Sequence, residues 1–157
     1  MEYEHVGKTI HQLGIMDLKQ INHRLKKIDL SMAQGLVLIF LQEANKHELT
    51  IKTLEKMSET SQPTMLGVIN RLEQKGLIVT YLTEKRKKMV KITEDGLNTI
   101  PYIKESIEEV EKIFFCNFTV GEHAIFMELL QKAKNNLFQY HAINKPLEKE
   151  KENNDEQ

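Results

Sequence analysis

The 157-residue sequence is poor in the residues that mark disulfide-rich, membrane and low-complexity proteins. It contains one cysteine, three prolines, seven glycines and no tryptophan. A single cysteine cannot form an internal disulfide, and this usage is typical of the reducing cytoplasm, where we expect the chain to reside. The longest apolar run, Leu36 to Leu41, is far too short to cross a bilayer, and the first ten residues lack the apolar segment of a signal peptide. We therefore expect a soluble globular protein with no membrane partner.

Positive charge is not in excess overall, but it is concentrated in one region. The formal net charge is −1, yet residues 46–93 carry 10 basic and 5 acidic side chains, a local balance of +5. Residues 94–147 and the last ten residues each have a balance of −3. Because the local field steers a charged partner, the region 46–93 is suited to a phosphate backbone.

The spacing of apolar residues predicts a mainly helical chain. Three- and four-residue steps indicate a first amphipathic helix over residues 6–28. A capping box of Ser31 and Gln34 predicts the start of a second, buried helix. Thr50 is a suitable N-cap for a short third helix.

A fourth helix and a β-hairpin follow. The fourth helix is expected to begin near Ser61, with Pro63 in its first turn, and to end at Gly76 as the residue after the C-cap. Residues 77–82 and 89–92 are rich in β-branched and aromatic side chains and flank a basic tip, which predicts a hairpin. Helix, turn, helix and hairpin in this order predict a winged helix-turn-helix, whose natural partner is double-stranded DNA.

Two long helices and a tail complete the prediction. Thr93 is expected to cap the fifth helix, and Thr119 with Glu122 to form a capping box for the sixth. Residues 146–157 have too little apolar content to fold alone, which predicts a disordered acidic tail. The fold class is therefore mainly α with a small β-hairpin wing.

The exposed N-terminal face of the fourth helix contains side chains suited to base edges in a major groove. Leu66 lies off the apolar stripe of Met65, Ile69 and Leu72, so it is expected to point outward, either toward a thymine methyl group or as an isolated surface leucine. The predicted reading residues are Ser61, Gln62, Thr64, Leu66 and Asn70.

Basic residues on either side of this face are predicted to bind the DNA backbone. Arg71 and Lys75 are candidate phosphate contacts, with an ordinary solvated helix face as the alternative. The wing tip has four successive cations that repel one another unless an anionic partner offsets the repulsion, and a flexible solvated loop is the alternative. These tip residues are Lys85, Arg86, Lys87 and Lys88.

The segment SQPTMLGVINRLEQKGLI, followed by EKRKKMVKITEDG, resembles the MarR family of dimeric bacterial transcription regulators. The resemblance extends over about residues 6–142 and is strongest over residues 30–96. In that family the wing carries an Asp-x-Arg pattern before a Thr-x-x-Gly segment, and the matching residues here are Glu84, Arg86, Thr93 and Gly96. The resemblance implies that Arg86 is the minor-groove arginine of the wing; Glu84 departs from the usual aspartate.

The resemblance also implies the quaternary organisation and a regulatory ligand. Residues 1–30 and 94–145 would form a helical dimerisation region, and residues 31–93 the DNA-binding domain. A homodimer would act as a repressor on a pseudo-palindromic operator with half-sites roughly 10 bp apart. A small-molecule effector would bind between the dimer helices and the DNA-binding domain.

Other classes of function have weaker support. The six histidines show no zinc-like spacing and Cys116 has no cationic neighbour in sequence, so we expect no metal or cofactor and a packing role for Cys116. No phosphate-binding loop or nucleophile motif is present, which argues against an enzyme. The alternatives that stay open are a protein-interaction module on a winged-helix scaffold and a metal-responsive regulator of the same fold.

Overall fold

The computed structural model describes the backbone of residues 5–152 and the side chains of residues 5–141. Within these residues the chain forms a mainly helical fold with a small antiparallel sheet, as the sequence predicts. The described residues divide into two compact units, one ending at Phe114 and the other beginning at Phe115. The elements are α1 (Val6–Leu25), α2 (Met32–Glu43), β1 (Glu48–Thr50), α3 (Ile51–Ser58), α4 (Gln62–Gln74), β2 (Ile78–Leu82), β3 (Lys88–Ile92), α5 (Glu94–Phe114) and α6 (Val120–Glu152).

Helices α1, α2 and α5 pack together in the first unit and supply much of its core. Leu25, Leu38 and Ile103 are fully buried there. Helix α1 ends at Leu25, three residues before the predicted end, because the chain tightens into a 3₁₀ turn over Lys26–Ile28. Asp29 then adopts a left-handed conformation with φ of 54°, which stops the helix.

The predicted capping chemistry of α2 is confirmed. The N–H of Ser31 donates to Gln34 Oε1 at 3.0 Å, and the N–H of Gln34 donates to Ser31 Oγ at 3.4 Å. Gln34 is 5% exposed. This buried amide therefore has its hydrogen bond at the helix terminus, which offsets the cost of removing it from water.

Helices α3 and α4 form the helix-turn-helix. Thr50 Oγ1 accepts the N–H of Thr53 at 3.1 Å and begins α3, as predicted. At the last residue of α3, Ser58 Oγ is buried and makes no hydrogen bond in the described part of the chain. Helix α4 has Pro63 in its first turn, and Gly76, whose φ is +70°, is the residue after its C-cap.

The end of α4 has the geometry of a Schellman motif. The N–H of Gly76 donates to Glu73 O at 2.9 Å, and the N–H of Leu77 donates to Leu72 O at 3.0 Å. Gly76 therefore has the predicted role, because only a residue without a side chain takes this left-handed conformation at little cost.

The wing is the hairpin of β2 and β3, and it belongs to a three-stranded antiparallel sheet with the order β1-β3-β2. The predicted hairpin of β2 and β3 is confirmed, with Thr80 opposite Val90. Strand β1 is an addition: Leu49 pairs with Val90 from the other side. With three residues, β1 is too short to show a strand pattern in the sequence. Ile78, Val90 and Ile92 cover the core from this sheet.

Helix α5 begins where the sheet meets the end of α4. Thr93 Oγ1 accepts the N–H of Gly96 at 3.1 Å and donates to the carbonyl of Gly76 at 2.7 Å. A Cβ at Gly96 would overlap the carbonyl oxygen of Leu77 and come within 2.6 Å of Ile92 Cγ1. Gly96 therefore allows α5 to approach the base of the wing.

The second unit consists of the turn after Phe114 and helix α6. The N–H of Thr119 donates to Glu122 Oε2 at 2.8 Å, and the N–H of Glu122 donates to Thr119 Oγ1 at 3.2 Å, so the predicted capping box is confirmed. Phe115 contacts the rings of Phe118, His123 and Phe126 edge-on.

The backbone of α6 continues through residues 146–152 to Glu152. The predicted disordered acidic tail over residues 146–157 stays a prediction. Residues 153–157 of the predicted tail lie outside the described residues. None of the described helices has both the length and the apolar character needed to cross a lipid bilayer.

Candidate nucleic-acid interface

The N-terminus of α4 is exposed and polar. Ser61 stands at the N-cap position, but its hydroxyl lies 2.9 Å from Thr64 Oγ1 and makes no side-chain cap. Gln62 and Asn70 are exposed on the same helix. The predicted reading side chains of this terminus are therefore accessible to a partner.

A cleft of about 730 Å³ brings the start of α4 and the wing to one side of the molecule. Gln62 and Leu66 line it from α4, and Lys87 and Lys88 line it from the wing. Its other lining residues, from β1 and α3, are Thr50, Ile51, Lys52 and Glu55. A helix terminus and a cationic hairpin that share one cleft can contact the same macromolecule.

Leu66 is only partly exposed and packs against the hydrophobic core, so it points outward less fully than expected. At about 100° per residue, position 66 lies at the edge of the buried stripe of Met65 and Ile69. There Leu66 also lines the cleft. Contact between Leu66 and a base stays a prediction.

The opposite flank of α4 faces a second, smaller cavity of about 280 Å³. Arg71 and Lys75 line this cavity together with Lys26 and Ser31. Lys75 is already engaged: its Nζ lies 3.1 Å from Asp29 Oδ2 and also donates to the Asp29 carbonyl oxygen. Lys75 therefore ties the end of α4 to the turn after α1, and a phosphate would have to compete with Asp29 for it. Arg71 is exposed.

The wing tip is a tight turn between Thr83 and Lys87. The N–H of Arg86 donates to Thr83 O at 2.8 Å, and the N–H of Thr83 donates to Lys87 O at 3.0 Å. Arg86 is left-handed, with φ of 56°. The four predicted tip residues, Lys85, Arg86, Lys87 and Lys88, are all exposed.

Two lysines that the sequence did not single out also belong to these cavities. Lys52 lines the larger cleft and Lys26 the smaller one. In the sequence both resemble ordinary lysines of a solvated helix face. Their positions depend on how α1 and α3 pack beside α4, for which the chain has no local signal.

The six histidines and Cys116 were the candidates for metal or thiol chemistry. Within the described residues, no group of three or more histidine, cysteine, aspartate or glutamate side chains is placed to hold a metal ion. Cys116 is exposed, which differs from the packing role expected for it. Cys116 lies in the turn between the end of α5 and the start of α6.

The fold and this surface define a winged helix-turn-helix protein, with α3 and α4 as the two helices and β2–β3 as the wing. Residues 28–88 match the sequence model of the MarR family. This segment, from α2 to the start of β3, is therefore similar to the MarR family of transcriptional regulators.

Solved structures show the same fold along most of the chain. A mutant MarR from Escherichia coli in complex with operator DNA has a TM-score of 0.75 at 23% identity, covering 84% of this chain and 95% of that one. BpsR from Bordetella bronchiseptica, studied for regulation of its DNA binding by 6-hydroxynicotinic acid, has a TM-score of 0.75 at 22% identity, covering 85% and 96%. CouR from Rhodococcus jostii RHA1, bound to p-coumaroyl-CoA, has a TM-score of 0.72 at 20% identity, covering 83% and 91%.

Proposed function

We propose that this chain is a homodimeric, sequence-specific repressor that binds double-stranded DNA at a pseudo-palindromic operator. The observation that carries the proposal is the shared cleft of Gln62, Lys87 and Lys88, because it directs the start of α4 and the wing toward one duplex. The local excess of positive charge over residues 46–93 supports the same partner.

Each part of the surface has a role in this proposal. The start of α4 enters the major groove, where amide side chains such as Gln62 and Asn70 can make paired hydrogen bonds to adenine. Arg86 enters the minor groove beside it, where a narrow A·T-rich segment has the most negative potential. Arg71, Lys85, Lys87 and Lys88 contact phosphates, and Lys75 contributes to the extent that a phosphate displaces Asp29.

Exposed apolar side chains support the homodimer. Helix α1 exposes Val6 at 72% and Met16 at 63%, and α6 exposes Val120 at 89% and Phe138 at 75%. Monomeric soluble proteins rarely present apolar surface of this extent. Further apolar residues of these two helices with exposed side chains are Ile10, Leu13, Ile15, Leu18, Ile125, Met127, Leu129, Leu130, Leu137 and Tyr140.

A closed dimer would cover these faces with a second copy. Residues 1–30 and 94–145 then form the dimerisation region, and residues 31–93 read the DNA. The two-fold axis sets the half-sites roughly 10 bp apart. A small-molecule effector that binds one arrangement of the two copies more tightly would change operator affinity, as 6-hydroxynicotinic acid regulates DNA binding by BpsR.

A mobility-shift assay on the DNA upstream of the protein's own coding region, with a salt titration, tests this function. About four phosphate contacts per subunit predict a slope near −7 in a plot of log affinity against log salt concentration. Lys88→Ala removes about one contact per subunit and should make the slope shallower by about two.

Two results would contradict the proposal. A slope near zero would favour the protein-interaction module on the same scaffold. If light scattering shows that the protein is a monomer at the concentration at which it shifts DNA, the proposed homodimer and its pseudo-palindromic operator are contradicted.

A further inference from the structure

One side chain organises the backbone of the wing tip. Thr83 makes three hydrogen bonds across the turn: its N–H donates to Lys87 O at 3.0 Å, its carbonyl accepts the N–H of Arg86 at 2.8 Å, and its hydroxyl accepts the N–H of Lys87 at 3.1 Å. The first two bonds belong to the backbone and form with any residue at position 83. The third depends on the hydroxyl, so it is specific to threonine or serine.

The residue that this turn presents is in a strained conformation. Arg86 has φ of 56°, a region that a residue with a Cβ occupies at a cost and that glycine or asparagine usually fills in such a turn. A strained residue persists only where its surroundings hold it in place. The neighbouring cations Lys85, Lys87 and Lys88 repel one another and add no attraction that would hold the turn.

The acidic neighbour does not supply the restraint. Glu84 is exposed, and within the described residues its carboxylate takes part in no hydrogen bond or ion pair. Glu84 is the residue that stands at the aspartate of the Asp-x-Arg pattern. The side chain that does contact the turn backbone is the preceding one, and Thr83 is half-buried, as a restraining group should be.

We propose that Thr83 is a positioning residue for DNA binding. Its hydroxyl accepts the N–H of Lys87, and this hydrogen bond keeps Arg86 aimed into the minor groove. The inference rests on the proposed DNA-binding function and adds to it the group that orients the arginine. A pre-organised arginine loses less conformational freedom on binding than one on a mobile loop. The hydroxyl should therefore matter for binding only while the arginine is present.

Thr83→Val tests this, because valine keeps the β-branched shape and the strand preference but removes the acceptor. On an operator with A·T-rich flanks we expect binding to weaken about 3- to 10-fold, the effect of losing one hydrogen bond. On a matched duplex with G·C-rich flanks the loss should be smaller. In an Arg86→Ala background, Thr83→Val should change affinity less than about twofold, because the two effects are coupled.

Three matched variants control the experiment. Thr83→Ser retains the acceptor and should bind within about twofold of the wild type. Glu84→Gln should bind at least as tightly as the wild type, since the carboxylate contacts nothing in the turn and its negative charge opposes a phosphate backbone. Thr99→Val makes the same chemical change on α5, where the hydroxyl donates to Gly96 O at 2.7 Å, and should leave the flank preference unchanged.

A readout on the free protein separates this inference from the proposed function. Hydrogen exchange of the Lys87 amide should accelerate in Thr83→Val and not in Glu84→Gln, with or without DNA. If the wild type binds no duplex, the proposed function is contradicted. Hydrogen exchange of the Lys87 amide still measures whether the Thr83 hydroxyl stabilises the turn. Two outcomes would overturn the positioning role alone, provided that the wild type binds DNA. In the first, Thr83→Val binds as tightly as the wild type. In the second, Thr83→Val weakens binding as much in the Arg86→Ala background as in the wild-type background. A loss in Glu84→Gln as large as that in Arg86→Ala would assign the restraint to the carboxylate instead.

Discussion

The carboxylate of Glu73 accepts two hydrogen bonds from Thr80, one from its N–H at 2.9 Å and one from its hydroxyl at 2.7 Å. Glu73 lies in the last turn of α4 and Thr80 in β2, the outer strand of the wing. The bond to the N–H satisfies a donor that faces away from β3 at the sheet edge. Because Glu73 belongs to α4, the two bonds also connect the wing to that helix.

Glu73→Ala should therefore lower both stability and DNA affinity. Because the pair is exposed, we expect the free energy of unfolding to fall by only about 1 kcal/mol. Operator affinity should fall as well, since the wing is held less firmly beside α4. Urea unfolding and the mobility-shift assay measure the two effects. Glu73→Gln keeps an acceptor oxygen and serves as the control; an unchanged Glu73→Ala protein would show that the hydrogen bonds contribute nothing in solution.

Arg86 should separate minor-groove recognition from general electrostatic attraction. Arg86→Ala is expected to weaken binding to A·T-rich flanks by about 5- to 150-fold, whereas Lys88→Ala should weaken binding less and by a similar factor on every sequence. Competition titrations with flank variants measure this difference. Equal losses on all sequences for both variants would reduce the wing to a phosphate contact.

The left-handed conformation of Arg86 makes a separate prediction about stability. Arg86→Gly should be about 1 kcal/mol more stable than Arg86→Ala, because glycine adopts φ of 56° without a Cβ penalty. Both variants should bind DNA equally poorly. Thermal unfolding of the two proteins side by side provides the measurement, and equal stability would argue that the turn changes its conformation in solution.

Ser58→Ala should stabilise the protein. The buried Ser58 hydroxyl makes no hydrogen bond in the described part of the chain, and removing a buried polar group without a partner gains about 1 kcal/mol. Alanine also favours the helix that Ser58 ends. Denaturant unfolding measures the gain, and Thr60→Ala, at an exposed neighbour, should stay within about 0.5 kcal/mol of the wild type. A destabilised Ser58→Ala protein would indicate that a bound water satisfies the hydroxyl.

The capping box at the start of α6 should respond to acid. The N–H of Thr119, and then its hydroxyl, donate to Glu122, and these bonds hold the pKa of that carboxyl below its ordinary value of 4.5. A carboxyl with a lowered pKa stabilises the fold above its unfolded-state pKa, and this stabilisation is lost as the pH falls through the folded-state pKa. The cap should therefore weaken below about pH 4.5. An NMR titration of Glu122 should show a lowered midpoint that moves back up in Thr119→Val, and an ordinary midpoint in the wild type would mean that the box is open in solution.

Most of the helix boundaries could be predicted because the groups that set them are neighbours in the sequence. The capping boxes at Ser31 and Thr119, the cap at Thr50 and the stop at Gly76 each involve backbone groups only three to five residues away. Such local hydrogen bonds do not depend on how the rest of the chain packs. The hairpin followed for the same reason, since its two strands are joined by a short turn.

The arrangements that the sequence did not predict involve residues whose surroundings come from distant parts of the chain. Strand β1 exists because β3, about forty residues later, offers it a free edge. Lys75 meets Asp29 only after α1 and α4 have packed in one unit. Leu66 is partly buried because it borders the core, and its position next to the apolar stripe did not decide this from the sequence.

By itself, the sequence determined the class of this protein: the order of its helices and hairpin, the caps that delimit them, the excess of positive charge in one region and the identity of the side chains suited to DNA. These properties reside in short-range chemistry, which acts before any tertiary contact forms. Only the tertiary structure decided that Gln62 and the wing lysines share a cleft, that Lys75 is held by Asp29 and that Thr83 holds the turn under Arg86. Those arrangements depend on the directions in which packed elements leave the core, and no local pattern encodes such directions.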